Sequence, residues 1–174
     1  YRSFIFLLVF SGWVNHAKAY GPAISSISYT WIKDSTYQIY YWYFADCSSG
    51  ASLPDSIPAN MKNSCGFGDS VIHLHMVTIT PPTEIRYTCA GHATSCTTGS
   101  LPGYKQYAYV GNVTLYQRCD HWTFSVSEGL RDPSILNISS TSPNAYVEAT
   151  LNNLDYQGNT APYFANYAPF VFWD

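Results

Sequence analysis

Charged side chains are scarce in this sequence. Lys, Arg, Asp and Glu make up 11% of its 174 residues, against roughly 25% in a typical soluble chain. The formal net charge is −3, and a chain without a basic excess does not fit a nucleic-acid-binding protein. Long apolar runs are missing too, since none approaches the ~20 residues that a membrane-spanning helix requires. We therefore expect neither a nucleic-acid partner nor a membrane-spanning segment.

Aromatic residues, by contrast, are abundant. Tyr, Phe and Trp make up 17% of the chain, with 16 tyrosines among them. Such a composition is unlike that of a disordered segment, and the length suits one domain with a substantial core. The sequence thus predicts a compact, tyrosine-rich domain with few surface charges.

Residues 1–19 have the features of a secretory signal peptide. Arg2 precedes the apolar run 4–10, and Ala17-Lys18-Ala19 ends the segment with the small residues typical of a cleavage site. We therefore expect a secreted or cell-surface protein whose domain spans residues 20–174. Because the sequence stops within an apolar, strand-like run, we also expect it to be the N-terminal fragment of a longer surface protein.

Alternation with a period of two residues favours strands over helices along the whole domain. Turn-forming residues such as Lys33-Asp34-Ser35 and Pro81-Pro82 separate the alternating or aromatic-rich segments. Gly111, inside a long strand candidate, predicts a bulge or bend. We predict an all-β domain, an antiparallel Ig-like or Greek-key β-sandwich of about seven or eight strands. The strand candidates lie at 27–31, 36–44, 71–80, 104–116, 122–126, 146–151 and 163–172.

The five cysteines are expected to form disulfides, because an exported protein meets an oxidising environment. Connectivity does not follow from spacing alone. We predict the pairs Cys47–Cys65 and Cys89–Cys96, because each would staple a loop segment. This pairing leaves Cys119 unpaired or bonded to a partner outside the sequence.

Four short motifs follow one another along the domain. They are Ala45-Asp46-Cys47-Ser48-Ser49-Gly50, Tyr109-Val110-Gly111-Asn112-Val113-Thr114-Leu115, Cys119-Asp120-His121-Trp122-Thr123-Phe124-Ser125 and Tyr146-Val147-Glu148-Ala149-Thr150-Leu151-Asn152-Asn153. In this order they resemble the N-terminal domain of very large cell-surface proteins of Bacteroidetes, which are associated with gliding motility or carry a type IX secretion sorting domain. The resemblance implies a β-sandwich with a structural or adhesive role, no enzymatic activity, no cofactor, and other domains of the same long chain as partners.

His73-Leu74-His75 is the one metal-like motif. Two histidines two residues apart on a strand point to the same face, and His92 or His121 could supply a third zinc ligand. The alternative interpretation is a pair of half-exposed histidines on a sheet face, since no spacing fixes the third ligand. A zinc-dependent hydrolase is therefore the less favoured functional hypothesis.

The aromatic run Tyr37–Tyr43 supports a second functional hypothesis, carbohydrate binding. Exposed aromatic rings stack on sugars, although the same residues also suit cross-strand packing within a sheet. The family resemblance further makes Ser35, Ser56 and Ser70 candidate O-glycosylation sites, because each follows an aspartate. Asp-Ser is also an ordinary turn pair.

Overall fold

The computed structural model describes residues 24–48, 52–77, 83–85, 92–129 and 145–162, and within them every regular element is a strand. All strand pairings are antiparallel, which confirms the predicted all-β class. The predicted signal peptide, the strand candidate 163–172 and Cys89 lie outside the described residues. The strands are β1 (Ile24–Lys33), β2 (Thr36–Asp46), β3 (Ser56–Asn63), β4 (Ser70–Val77), β5 (Thr83–Ile85), β6 (Tyr104–Thr114), β7 (Trp122–Ser127) and β8 (Tyr146–Leu151).

One sheet contains all eight strands. Its order is β1-β2-β6-β4-β3-β7-β8, and β5 pairs with β6 off this path. The sheet curves until its two end strands meet, where the Tyr29 hydroxyl on β1 donates a hydrogen bond to the Thr150 carbonyl on β8 at 2.9 Å. The sheet is therefore nearly closed, and a division into the two layers of a sandwich stays a prediction.

A two-residue turn joins β1 to β2, as the sequence predicts. Lys33 pairs with Thr36, and Asp34 between them has a φ of 49°. Asp tolerates this left-handed conformation better than most residues. The Asp34 carbonyl also accepts a hydrogen bond from the Trp31 indole at 2.9 Å, which ties the turn to its own strand.

The core lies inside the curve of the sheet. Tyr37, Ile39 and Tyr41 of β2 are fully buried, because alternate residues of a strand point to one face. Across the core, Phe124 of β7 packs against Tyr29, with ring centroids 6.1 Å apart. On β7, within the strand predicted at 122–126, one face is buried throughout, with Trp122, Phe124 and Val126 all pointing into the core.

Gly111 lies in a regular ladder, so the bulge predicted there is wrong. It pairs with Ile39 of β2 without a shift in register. A Cβ atom at this position would lie 2.8 Å from Leu74 Cδ2 and 3.1 Å from the His73 carbonyl oxygen. Glycine is needed here because β4 packs so close to β6, not because the backbone bends.

Strand β3 was not expected, since its segment is rich in proline and polar residues. Ile57 and Ala59 point inward and are buried, whereas Pro58 is exposed. Strand β3 pairs with β7 only from Asn60 onward. Pro58 therefore lies in the part of β3 that pairs with β4 alone. A proline is tolerated in such a position.

The structure contradicts the predicted disulfide pairing. The bonds are Cys47–Cys96, with Cα atoms 4.8 Å apart, and Cys65–Cys119, with Cα atoms 5.9 Å apart. Cys119 is therefore bonded, and the local loops are not stapled on themselves. Each bond instead joins segments at the ends of paired strands, β2 with β6 and β3 with β7.

Tryptic mapping of the non-reduced protein distinguishes the two pairings. We expect one linked pair of peptides, 34–62 with 87–105, and a second, 63–86 with 119–131, because cleavage after Lys and Arg separates all of these segments. Mass spectrometry before and after reduction measures this directly. A linked pair of 34–62 with 63–86 would restore the pairing predicted from the sequence.

Candidate functional site

The convex side of the sheet, opposite the core, carries a row of side chains across five strands. Antiparallel partners point to the same face, and the pairing places Ser28 of β1 beside Tyr40 of β2, and Tyr40 beside Val110 of β6. The row continues from Val110 to His75 of β4 and ends at Ser56 of β3. We call this side of strands β1, β2, β6, β4 and β3 the outer face.

The neighbouring rows add amide groups and a second large ring. Gln38 pairs with Asn112 of β6 on one side of Tyr40, and its side-chain nitrogen Nε2 donates to the side-chain oxygen Oδ1 of Asn112 at 3.1 Å. The Tyr40 hydroxyl donates in turn to the side-chain oxygen Oε1 of Gln38. Trp42 lies on the other side of Tyr40, beside Ser26 of β1. The outer face thus holds two aromatic rings next to a connected set of polar groups.

Within the residues that the structure describes, the centre of the outer face bears no charged side chain. Along β2 the central positions of this face are Gln38, Tyr40 and Trp42, which are half-buried, and Phe44, which follows on the same face, is buried. The nearest charged residues on this face of β1 and β2 are Lys33 at one end and Asp46 at the other. A neutral surface of rings, amides and hydroxyls offers stacking and hydrogen bonds rather than ion pairing.

The two histidines of the metal-like motif lie on the outer face. His73 and His75 are exposed, and Leu74 between them is buried, so both point the same way, as predicted. In the described part of the chain, the group of three side chains close enough to hold a metal ion is Cys65, Cys119 and Asp120, which includes neither histidine. Its two sulfur atoms are bonded to each other. The zinc hypothesis thus gains no third ligand from the described residues.

The candidate O-glycosylation serines are not brought together. Ser35 lies in the turn between β1 and β2, where its carbonyl accepts the Leu115 amide at 2.8 Å. Ser56 begins β3 and is half-buried, and Ser70 begins β4 and is exposed. Ser35 alone lies in a turn, whereas Ser56 and Ser70 are the first residues of strands, so the turn interpretation describes only the first of the three.

A carboxyl group lies among tyrosines on the core side. Glu128, directly after β7, accepts a hydrogen bond from the buried Tyr41 hydroxyl, while its Oε2 atom is buried without a hydrogen-bond partner. Burial raises the pKa of Glu128 to about 7. Burial, together with the nearby Glu128 charge, raises the pKa of Tyr43 to about 12 and raises that of Tyr109 as well. With this pKa, the Glu128 carboxyl group is about half-ionised at pH 7.

Sequence reasoning singled out the aromatic run but missed the amides beside it. Gln38 and Asn112 are 74 residues apart, and only the pairing of β2 with β6 makes them neighbours. The alternation of Gln38, Tyr40 and Trp42 on β2 was the available signal, because these positions share one face. Their partner strand does not follow from that alternation.

Comparison of this chain with known proteins identified no relative. No protein-family model, curated protein or solved structure matches this chain. The described residues contain no helix that is both long and apolar enough to cross a bilayer. The two disulfides fit an oxidising, extracellular setting.

Proposed function

We propose that this chain is a non-catalytic adhesion module of a larger extracellular surface protein, and that it binds neutral glycans through the outer face. The half-buried Tyr40 ring, with the Gln38 and Asn112 amides beside it, carries the proposal. The Trp42 ring projects from β2 to the same side, two residues along. Aromatic side chains offer a rigid apolar surface on which a sugar ring can stack.

Hydrogen-bonding groups lie on two sides of the rings. Gln38 and Asn112 present their linked amides on one side, and Ser26 and Ser28 present hydroxyls on the adjacent strand β1. Amides and hydroxyls both donate and accept hydrogen bonds, which suits the hydroxyl groups of a saccharide. A few polar groups around an apolar contact are the usual composition of a small-ligand site.

The absence of charge at the centre of the outer face selects the ligand class. With Lys33 and Asp46 at opposite ends of the described rows, no excess of either sign favours a polyanion or a polycation. Among the described residues, the rows of Tyr40 and Trp42 contain no arginine or lysine that could pair with the carboxylates or sulfates of an anionic polysaccharide. Neutral hexose polymers are therefore the ligands we propose.

The two disulfides support an extracellular role for this site. They fasten β2 near the start of β6 and β3 near the start of β7, and two of these strands, β2 and β6, carry the rings and amides. Cross-links of this kind stabilise a fold by roughly 2–4 kcal/mol each. A stable, exported sheet with a neutral aromatic face is suited to holding a surface polymer without chemical change.

Glycan binding by the intact chain tests this proposal. On an array of neutral and charged polysaccharides we expect neutral glycans to be retained, and Tyr40→Ala to weaken their binding about 3- to 10-fold, the loss of one stacking contact. Tyr116→Ala is the matched control, because Tyr116 is 85% exposed and lies outside the outer face.

Three results would count against this function. Retention of charged glycans alone would contradict the ligand class. An equal loss of glycan binding in the Tyr116→Ala control would show that the outer face does not bind the glycan. Hydrolysis of the bound glycan would contradict a non-catalytic role. Near-ultraviolet circular dichroism of each variant shows whether its fold is intact.

A further inference from the structure

Strand β6 forms the floor of a trough on the outer face. Its outward residues there are Ala108, Val110 and Asn112, and the first two have short side chains. Rings project from the strands on both sides of this floor. The partner of Val110 on β2 is Tyr40, and its partner on β4 is His75. Because paired residues share a face, a short side chain lies directly between two rings.

The same arrangement continues one step along β6. Asn112 pairs with Gln38 of β2, and His73 lies on β4 two residues from His75, on the same face. The Gln38 side chain donates to the Asn112 Oδ1 atom, so the two N–H donors of the Asn112 amide point away from Gln38. The trough therefore has imidazoles along its β4 side and amide donors beside them.

Exposure separates the open part of the trough from its closed end. Ala108 lies between Trp42 of β2 and Val77 of β4 and is 4% exposed. Val110 is half-buried, and Asn112 is exposed. A ligand that follows β6 therefore reaches the floor over Val110 and Asn112 rather than over Ala108.

The width of the trough suits one sugar ring. Strand β6 separates β2 from β4, and neighbouring strands are about 4.7–4.9 Å apart, so the two walls are about 9–10 Å apart. Carbon atoms in contact are about 3.5–4.0 Å apart, so a ring that touches both walls requires about 7–8 Å. The space accepts a single sugar ring whose two faces are turned to the walls.

We propose that a linear neutral glycan lies along β6, with one of its sugar rings held between Tyr40 and His75. This inference rests on the proposed function, and it adds a second wall to the site and a direction to the bound chain. The imidazole offers a flat face to the sugar, and its two nitrogens can donate and accept hydrogen bonds with sugar hydroxyls. His73 and Asn112 serve the next sugar along the chain.

Filling the floor of the trough tests this proposal. We expect Val110→Phe in the intact chain to weaken the binding of linear hexaoses of glucose, mannose or galactose at least about 10-fold, since the new ring occupies the space between the walls. A glycan lying flat on the rings of β2 alone would bind this variant equally well or more tightly, because the added ring extends the aromatic surface. Isothermal titration calorimetry measures these affinities.

Asn60→Phe is the matched control for the added ring. Asn60 is exposed and pairs with Val71 on the far side of β4, so a ring there lies on the outer face but outside the trough, and affinity should be unchanged. His75→Ala removes one wall instead. It should weaken hexaose binding about 3- to 10-fold, as Tyr40→Ala does, and His73→Ala should weaken it as well.

The results separate this inference from the function on which it rests. Hexaose binding that falls in Tyr40→Ala but not in His75→Ala or Val110→Phe would overturn the trough and leave the proposed function intact. An equal loss in Asn60→Phe, or retention of neutral polysaccharides without binding of any hexaose, would also overturn the trough. No retention of any neutral glycan by the unaltered chain would overturn both. Should Val110→Phe fail to fold, His75→Ala decides, because His75 is exposed.

Discussion

Replacing Asn153 with Leu should lower the free energy of unfolding by about 3–5 kcal/mol, since two buried donors lose their acceptor at once. The Asn153 side-chain oxygen accepts the backbone amide of Cys119 at 2.7 Å and the indole N–H of Trp122 at 3.1 Å. Its amide nitrogen donates to the Gln117 carbonyl at 3.1 Å. Asn153 is 3% exposed, so water cannot replace these bonds.

Urea denaturation followed by tryptophan fluorescence measures this loss. Asn152→Ala is the matched control, because the Asn152 oxygen accepts only the exposed turn amides of Leu154 and Asp155, each at 3.0 Å. We expect the control to lose about 1 kcal/mol. Asn153→Asp, which keeps the acceptor oxygen but loses the donor to Gln117, should fall between the two. Equal losses at positions 152 and 153 would contradict the central role of Asn153.

The Glu128→Gln variant should be more stable than the parent at pH 8, and the two should converge near pH 4. The folded state holds the Glu128 proton up to a pKa of about 7, whereas the ordinary pKa of the group is 4.5. Between these values the unfolded chain releases a proton that the folded chain retains, so stability falls as pH rises from 4.5 to 7. Above pH 7 the loss is complete, because both states are then ionised.

The size of the effect follows from the shift and from partial exposure. Since each pKa unit corresponds to about 1.4 kcal/mol, and screening by solvent reduces the effect for a group that is not fully buried, we expect a gain of about 1–2 kcal/mol at pH 8. Gln keeps an oxygen that can accept the Tyr41 hydroxyl. The groups that face Glu128 are Tyr41 and Tyr43 of β2 and Tyr109 of β6, and Asp55 adds a charge near Tyr109.

Denaturation curves from pH 4 to pH 8 test the prediction. Glu148→Gln is the control, because Glu148 is exposed on β8, where its carboxylate accepts the Tyr146 hydroxyl at 2.6 Å. The control should keep the parent's loss of stability between pH 4.5 and pH 7. A Glu128→Gln profile that falls as steeply as the parent's would show that another group titrates in this range.

The strands of this protein were largely predictable, because a strand's own sequence shows its alternation. Trp122, Phe124 and Val126 indicate an inward face before any partner is known, and all three are buried. The turn at Asp34 was predictable for the same local reason. Strand β3 was not predicted, because Pro58 and the polar residues around it obscure the alternation of its two inward residues, Ile57 and Ala59.

The disulfides show where local reasoning fails. The prediction paired Cys47 with Cys65 because such a bond would staple the loop segment between them. In the folded chain Asp46 pairs with Tyr104, and the Cys47 amide donates to the Gly103 carbonyl at 2.9 Å. Cys47 thereby reaches Cys96 across 49 residues of sequence.

Asn152 and Asn153 show most clearly which features follow from the sequence and which need the tertiary structure. Asparagine is a common turn residue, and Asn152 forms a turn with Asp155, because an Asx turn needs only residues a few positions away. Asn153 is instead a buried link to Gln117, Cys119 and Trp122. The sequence by itself determined the all-β class, the inward faces and the local turns, since these depend on alternation and neighbouring residues. Only the tertiary structure decided the strand order, the disulfide partners and the outer face, because each depends on pairing between distant segments.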